Sequence, residues 1–298
     1  MTGRALPFLV LGAGVAVVSF AAILIRFAHA EGASSLAIAA MRLAIAALVL
    51  APLAWWRHGR EIRALDRRAL LLCMLSGGLL ALHFWTWITS LEYTSIASST
   101  ALVTTNPIWV GLASALLLRE RPRAAAIAGI ALTLAGSLLI FTADAQSQGG
   151  GRAPMLGNLL ALLGAIAASG YLLVGRAVRG GLSLVAYVWL AYATAAVLLL
   201  LAVAVTGTSL GGLSAQAWGF LLLLAVGPQL IGHTAFNWAL RRLSATFVAV
   251  SILGEPVGSA ILAIALFGER FTALQFAGFA LLLGGIFVAA AGERRPDR

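Results

Sequence analysis

The second half of this 298-residue chain repeats the pattern of the first half about 149 residues later. That offset places Asn106-Pro107 on Glu255-Pro256, and near the start of each half an offset of 150 places Ser19 on Ser169. Repeats of this length in a strongly apolar chain are typical of membrane proteins built from two copies of one multi-helix unit. The repeat therefore predicts two such units facing each other in a bilayer.

The composition excludes most soluble classes of protein. Hydrophobic residues make up 61% of the chain, charged residues make up 10%, and the mean hydropathy is +1.00, which is more apolar than a soluble domain needs. The net charge of +10 comes from short basic clusters beside apolar segments, so we expect the lipid bilayer, and not nucleic acid, as the partner. Cys73 is the single cysteine, and metalloprotease, P-loop and dinucleotide spacings do not occur, so we expect no metal site and no cofactor.

Ten stretches are long and apolar enough to cross a bilayer, which takes about 20 residues of helix. The sequence predicts them at Leu6–Ala28, Ser34–Trp56, Ala69–Ser90, Thr94–Leu118, Arg123–Thr142, Met155–Gly175, Ser183–Val205, Ala215–Leu240, Ser244–Phe267 and Phe271–Ala291.

These stretches divide into two domains of five helices, at residues 1–143 and 155–298, joined by a polar linker at residues 144–154. Because five is odd, the second domain enters the membrane from the opposite side. The predicted fold is an all-α membrane protein, with ten transmembrane helices in two inverted five-helix repeats around a central cavity.

The arginines indicate the orientation. Sixteen of the 20 basic residues lie on the side that carries both termini, which predicts that both termini are cytoplasmic. The first apolar stretch ends at Ala28-His29-Ala30, which has the form of a signal-peptidase site. The stretch is longer than the usual signal core of about 7 to 15 residues, and its Ser19 recurs in the second half, so we interpret it as the first helix.

Two charged residues fall inside apolar stretches, Arg42 in the second and Glu255 in the ninth. A charge at a helix centre costs at least about 2.5 kcal/mol in hydrocarbon, so each needs a compensating role. Arg42 can satisfy carbonyls of a broken helix, and Glu255 can cap the half-helix that begins at Pro256. Both residues are also candidates for binding a substrate.

Asn106-Pro107 and Glu255-Pro256 occupy equivalent places in the fourth and ninth stretches. Proline removes a backbone donor, so each helix should bend or break near the middle of the membrane. Freed backbone groups persist there only beside protein or a wet cavity. Kinked packing helices are one interpretation, and hinges at Pro107 and Pro256 beside a central cavity are the one we favour.

His83 in the third stretch and His233 in the eighth are also equivalent by the repeat. For His233 we expect only a hydrogen bond to a neighbouring helix. His83 is accompanied by Trp87 on its own helix and by Asn106 and Trp109 on the fourth stretch. Aromatic faces with a ring nitrogen and an amide suit a ligand that has an apolar side chain and a polar end.

In each half a proline inside a helix is followed by apolar residues and then by Glu-Arg, at Glu120-Arg121 and Glu269-Arg270. With Arg42, this pattern resembles the EamA-type members of the drug/metabolite transporter superfamily, over essentially the whole chain. The arrangement of His83, Trp87, Asn106-Pro107 and Trp109 is similar to the YddG branch, bacterial inner-membrane exporters of aromatic amino acids. The resemblance implies ten helices in two inverted repeats.

The resemblance also implies a non-enzymatic exporter of aromatic and other neutral amino acids or related metabolites. It would work by alternating access in the bacterial inner membrane, as a monomer. Its substrate site would comprise His83, Trp87, Asn106, Trp109, Arg42 and Glu255. Two alternatives stay open, a general drug or other metabolite carrier of the same superfamily and an intramembrane enzyme.

The distribution of arginines generates a test of topology. Single cysteines placed beside Arg63 and Arg121 should react with a membrane-impermeant thiol reagent from the cytoplasm, and a cysteine at Gln148 should react from the other face. Labelling of Gln148→Cys from the cytoplasm alone would contradict both the orientation and the inverted repeat.

Overall fold

The computed structural model describes residues 2–94, 99, 102–117, 124–145, 153–178, 180–267 and 272–292. Throughout these ranges the ordered elements are helices, with no strand. They are α1 (Thr2–Val18), α2 (Ala21–Ala30), α3 (Ser35–Arg63), α4 (Arg67–Tyr93), α5 (Asn106–Leu117), α6 (Ala124–Ala145), α7 (Pro154–Val178), α8 (Leu184–Thr206), α9 (Ala215–Leu224), a π-helical segment (Ala225–His233), α10 (Thr234–Ala239), α11 (Ala245–Ile252), α12 (Gly254–Phe267) and α13 (Ala273–Gly292).

Short polar side chains start several of the long helices. The hydroxyl of Ser34 accepts a hydrogen bond from Ala37 N at 3.3 Å, and Ser183, Ser214 and Ser244 cap α8, α9 and α11 in the same way. Such caps satisfy backbone donors that a helix terminus leaves without intrahelical partners. The caps therefore place the helix starts, and the apolar residues that follow supply the membrane-crossing length.

The outer surface of the helices is apolar. Trp56 is 89% exposed, Val205 is 87% exposed and Phe287 is 74% exposed. A soluble monomer rarely exposes large contiguous apolar patches, whereas a helical protein in lipid presents such side chains to hydrocarbon. Together with its long apolar helices, this surface identifies a multi-pass membrane protein.

Six helical stretches of the described residues are long and apolar enough to cross a membrane. They are Ala5–Ala30, Ser35–Arg63, Arg67–Tyr93, Met155–Val178, Leu184–Thr206 and Ala215–Ala239. Shorter apolar helices occur at Ala124–Gly136, Ala245–Ser259 and Phe276–Gly285. The all-helical prediction agrees with the structure, and the count of ten and the inverted repeat stay predictions.

Two sequence features fall partly or wholly outside the described residues. The Glu-Arg pairs at Glu120-Arg121 and Glu269-Arg270 lie there, as does most of the predicted linker, at residues 146–152. Elsewhere the helices differ from the predicted stretches in detail. For example, α3 continues beyond Trp56 to Arg63, where Glu61 Oε1 accepts a 2.6 Å hydrogen bond from Ser183 N at the start of α8.

The helices pack in pairs that join the two halves of the chain. Helix α4 packs along α7, α3 along α8, and α6 along α13. Helix α1 packs against the π-helical segment and α10, and α5 contacts both α7 and α11. The two halves therefore share one interior, and the site described below lies between them.

Small residues allow the closest of these approaches. A β-carbon on Gly285 of α13 would lie 2.6 Å from the carbonyl oxygen of Gly129 and 2.8 Å from Thr133 N, both in α6. Likewise, a β-carbon on Gly258 of α12 would lie 2.1 Å from Ser19 Oγ. Glycine at these positions therefore permits close helix packing.

The contact between α6 and α13 predicts a contrast between two neighbouring glycines. Gly285→Ala should lower the free energy of unfolding by about 1 to 3 kcal/mol, because backbone atoms of α6 must move to admit the methyl group. Gly284→Ala is the matched control, since its β-carbon would meet no described atom within 4 Å and alanine favours helix by up to about 1 kcal/mol. Thermal unfolding in detergent measures both variants, and equal midpoints would contradict the packing described here.

Candidate functional site

Two helices are interrupted at the prolines that the repeat makes equivalent. In the second half, α11 ends at Ile252 and α12 begins at Gly254, immediately before Glu255-Pro256. In the first half, a turn at residues 104–105 precedes α5, which begins at Asn106. Proline is tolerated in the first turn of a helix, where a backbone N–H has no helical partner. The predicted breaks are therefore present, and their movement as hinges stays a prediction.

Two serines of equivalent position bind the backbone beside these breaks. Ser19 Oγ donates to the carbonyl of Val15 at 2.9 Å and to the carbonyl of Glu255 at 3.3 Å. Ser169 Oγ donates to the carbonyl of Ala165 at 2.7 Å and to that of Asn106 at 3.1 Å. Each hydroxyl thus ties one half of the chain to the broken helix of the other half.

A cavity of about 60 Å³ lies among these elements. Its described lining comes from both halves and comprises Val18, Ala21, Arg42, His83, Trp87, Val103, Thr104, Asn106, Ala168, Tyr171, Leu172, His233, Phe236, Ile252 and Glu255. Five of the six predicted site residues therefore lie around one cavity.

Arg42 is completely buried in the wall of this cavity. Its Nε donates a 2.7 Å hydrogen bond to Gln229 Oε1, and its guanidinium carbon lies 4.0 Å from the centroid of the Phe84 ring. Tyr192 in turn donates its hydroxyl proton to the backbone carbonyl of Gln229 at 3.1 Å. The described hydrogen bond of the Arg42 side chain is thus to a side-chain amide. The structure therefore does not support the interpretation that Arg42 satisfies carbonyls of a broken helix.

Glu255 lies on the opposite half of the chain from Arg42 and lines the same cavity. It is half-buried in the first turn of α12, where a carboxylate interacts favourably with the helix dipole. The cavity therefore combines a guanidinium and a carboxyl group with largely apolar walls.

The side chain of His83 forms a hydrogen bond with α7, the first helix of the second half. Its Nδ1 lies 3.0 Å from the carbonyl oxygen of Gly164, and because a carbonyl only accepts, this contact assigns the proton to Nδ1. Nε2 of the neutral ring is then an acceptor. The ring of Trp87 lies nearly parallel to that of His83, with the centroids 5.9 Å apart.

Several polar atoms at the cavity are buried without a hydrogen-bond partner among the described residues. They are Arg42 Nη1 and Nη2, Trp87 Nε1, Asn106 Oδ1 and His233 Nδ1. A buried polar group without a partner is costly and usually has a functional explanation. These atoms therefore make the cavity a candidate binding site.

Sequence reasoning missed part of the lining. For His233 we expected only a helix-to-helix hydrogen bond, yet it lines the cavity and its Nδ1 has no described partner. Tyr171 and Phe236 also line the cavity. The sequence repeat places His83 on His233 at an offset of 150, and this equivalence is the signal that could have identified His233 as a lining residue.

Trp109 is the predicted site residue that the structure places elsewhere. Its Nε1 donates to the hydroxyl of Thr105 at 3.3 Å, one turn earlier, and it is not among the described residues that line the cavity. Trp85, which shares α4 with His83, is 39% exposed on the outer surface. Helical periodicity accounts for this, since Trp85 and Trp87 are two residues apart and do not share a face.

A protein-family comparison matches the chain twice. The model of the EamA-like transporter family matches residues 7–142 and again residues 155–291.

Two curated relatives are named as transporters. The uncharacterized transporter YetK of Bacillus subtilis is 25% identical over 209 residues, which are 69% of this chain and 63% of that protein. An uncharacterized transporter of Clostridium kluyveri is 22% identical over 215 residues, which are 70% of this chain and 68% of that protein. The match with YetK thus spans less than two thirds of its length.

A solved crystal structure has the same fold. It superposes with a TM-score of 0.79 at 21% sequence identity and covers 96% of this chain and 97% of its own. Since almost the full length of both chains is aligned, the arrangement of helices described above is shared with a protein of known structure.

Proposed function

This chain belongs to the EamA-like transporter family, and from that premise we propose that it exports neutral amino acids, aromatic ones above all, by alternating access. Related metabolites are included among the proposed substrates. We also assign the chain to the YddG branch of aromatic amino acid exporters, which the sequence resembles. The naming of both curated relatives as transporters supports transport over enzymatic chemistry.

The observation that carries the proposal is the composition of the cavity. Arg42 supplies a guanidinium and Glu255 a carboxyl group, the kinds of partner that the two ends of a zwitterion require, and Trp87, Tyr171 and Phe236 supply aromatic surface. A zwitterion that leaves water must regain its hydrogen bonds from fixed groups, and the unpaired polar atoms of the wall are such groups. Several cationic groups, which a phosphorylated substrate would call for, are absent from the described lining.

The paired helix breaks support alternating access. The equivalent bonds of Ser19 and Ser169 and the double family match support two copies of one unit, inverted in the membrane, with ten helices in all. In transporters of this kind, discontinuous helices form the central site and the two copies move around it. We propose that α5, α11 and α12 change angle at Pro107 and Pro256 as the cavity opens to one side and then the other.

The membrane setting of the proposal follows from the arginines. Both termini lie in the cytoplasm and the protein resides in the bacterial inner membrane. The cavity is lined by both halves of a single chain, so a monomer contains a whole site. Neither a metal nor a cofactor enters the proposed cycle.

A second candidate function is a carrier of organic cations. Glu255 is a half-buried carboxylate on the cavity wall, and such a group attracts a cationic drug. Arg42 opposes this function, because its positive charge lies in the same wall. The competition measurement given below separates the two.

Transport of labelled L-phenylalanine into proteoliposomes is the direct test. Competition by unlabelled leucine or methionine, but not by aspartate or lysine, is expected from apolar walls with balanced charges. Equal competition by cationic or acidic compounds would favour the drug-carrier function instead. Running the assay with and without a proton gradient shows whether transport is coupled to protons.

Substitutions in α4 locate the site. His83→Ala and Trp87→Ala should each lower the transport rate about tenfold or more, because lost contacts to a buried polar ligand cost roughly 1 to 3 kcal/mol. Trp85→Ala is the matched control, since Trp85 lies on the same helix and faces outward. All three proteins should reach the membrane in equal amounts, and a loss of transport in Trp85→Ala as large as that in Trp87→Ala would contradict the assignment.

The helix breaks generate a separate prediction. Pro107→Ala and Pro256→Ala restore a backbone donor at each interruption and should stiffen the helix, lowering turnover more than expression. Pro52→Ala is the control, because Pro52 lies within the continuous helix α3. If Pro107→Ala and Pro256→Ala transport at the wild-type rate, the breaks serve packing alone.

A further inference from the structure

Arg42 is oriented through one of its three nitrogens and left without described partners at the other two. Nε donates to Gln229 Oε1, and the flat face of the guanidinium lies over Phe84. Nη1 and Nη2 are buried and have no described hydrogen-bond partner. A buried guanidinium in this condition is costly unless an anion completes it. The two terminal nitrogens form the planar fork that binds a carboxylate through two parallel hydrogen bonds.

The second half of the chain holds this fork in place. Gln229 lies in the π-helical segment, next to Pro228, and the Tyr192 hydroxyl donates to its backbone carbonyl. Single-turn π-helical distortions inside α-helices often occur at functional sites. Since Gln229 contributes a neutral acceptor, it orients Arg42 without neutralising it.

Acceptors on the broken helices complement this donor. Asn106 Oδ1 is buried without a described partner, and Glu255 supplies a carboxylate. Both lie in the first turn of their helices, α5 and α12. The cavity lining thus includes a donor on α3 and acceptors on the interrupted helices.

We propose that Arg42 is the anchor for the carboxylate of the substrate and that Gln229 is the positioning residue that presents it, while Glu255 and Asn106 receive the ammonium group. This inference rests on the proposed function, because it names how the same cavity recognises the two ends of an amino acid. It makes a free carboxylate a requirement for tight binding, which a general apolar or cationic site does not impose.

The test compares three ligands that share a phenyl ring. L-Phenylalanine carries both charged groups, phenethylamine carries only the ammonium, and 3-phenylpropionate carries only the carboxylate. Titration calorimetry with the full chain in nanodiscs should give L-phenylalanine about tenfold or higher affinity over phenethylamine, the usual range for hydrogen bonds to a charged group. In Arg42→Gln this preference should disappear, and binding of 3-phenylpropionate should fall by a similar factor.

Gln229→Glu is the sharper variant because it keeps Arg42 and the shape of its partner. The added carboxylate would pair permanently with the guanidinium and compete with the carboxylate of the ligand, so the preference for L-phenylalanine should again fall about tenfold. If Arg42 were only structural, Gln229→Glu would strengthen its contact and leave the preference unchanged. Arg242→Gln is the charge control, since Arg242 is exposed and stacks on Trp238 outside the cavity lining.

The outcomes separate this inference from the proposed function. An unchanged preference in folded Gln229→Glu or Arg42→Gln overturns the anchor even if L-phenylalanine is transported. Wild-type binding of 3-phenylpropionate that Arg42→Gln abolishes supports the anchor even if proteoliposomes do not transport L-phenylalanine, in which case the amino-acid function alone fails. Wild-type protein that binds none of the three ligands contradicts both.

Discussion

A backbone carbonyl in the middle of a bilayer needs a partner within the protein, and the rest of this structure depends on how that requirement is met. At the two interrupted helices, the hydroxyls of Ser19 and Ser169 reach across to the carbonyls of Glu255 and Asn106. Each serine also bonds a carbonyl one turn earlier on its own helix. These bonds anchor the first turns of α5 and α12 to the opposite half of the chain, and the breaks bring those polar first turns to the cavity.

The guanidinium of Arg42 also needs partners within the protein, and only some of its donors have one. Gln229 satisfies Nε of Arg42, and Phe84 covers one face of the guanidinium, yet two nitrogens keep no described partner. A purely structural arginine would be expected to use all its donors, because leaving them unmade costs more than the bonds themselves contribute. The unpartnered nitrogens are at the end of the side chain, and this is the observation behind the proposal that Arg42 recognises a ligand.

Much of this arrangement could be predicted from sequence because it depends on local rules. Hydropathy located the helices, proline located the two breaks, and the cost of a buried charge singled out Arg42 and Glu255. Helical phase could not be predicted where regular geometry fails. The π-helical segment, which ends at His233, alters the phase of its helix, and Trp109 donates back to Thr105, so neither side chain's direction followed from residue spacing alone.

Positions that the sequence repeat makes equivalent carry different side chains, and this difference makes the polar groups around the cavity asymmetric. At an offset of 150, Arg42 corresponds to Tyr192, and at 149, Asn106 corresponds to Glu255. Arg42 and Tyr192 both donate to Gln229, one to its side chain and the other to its backbone. A symmetric pair of arginines would instead place two like charges beside one cavity. Because one member of each pair is neutral, a ligand with unlike ends would meet unlike walls in this cavity.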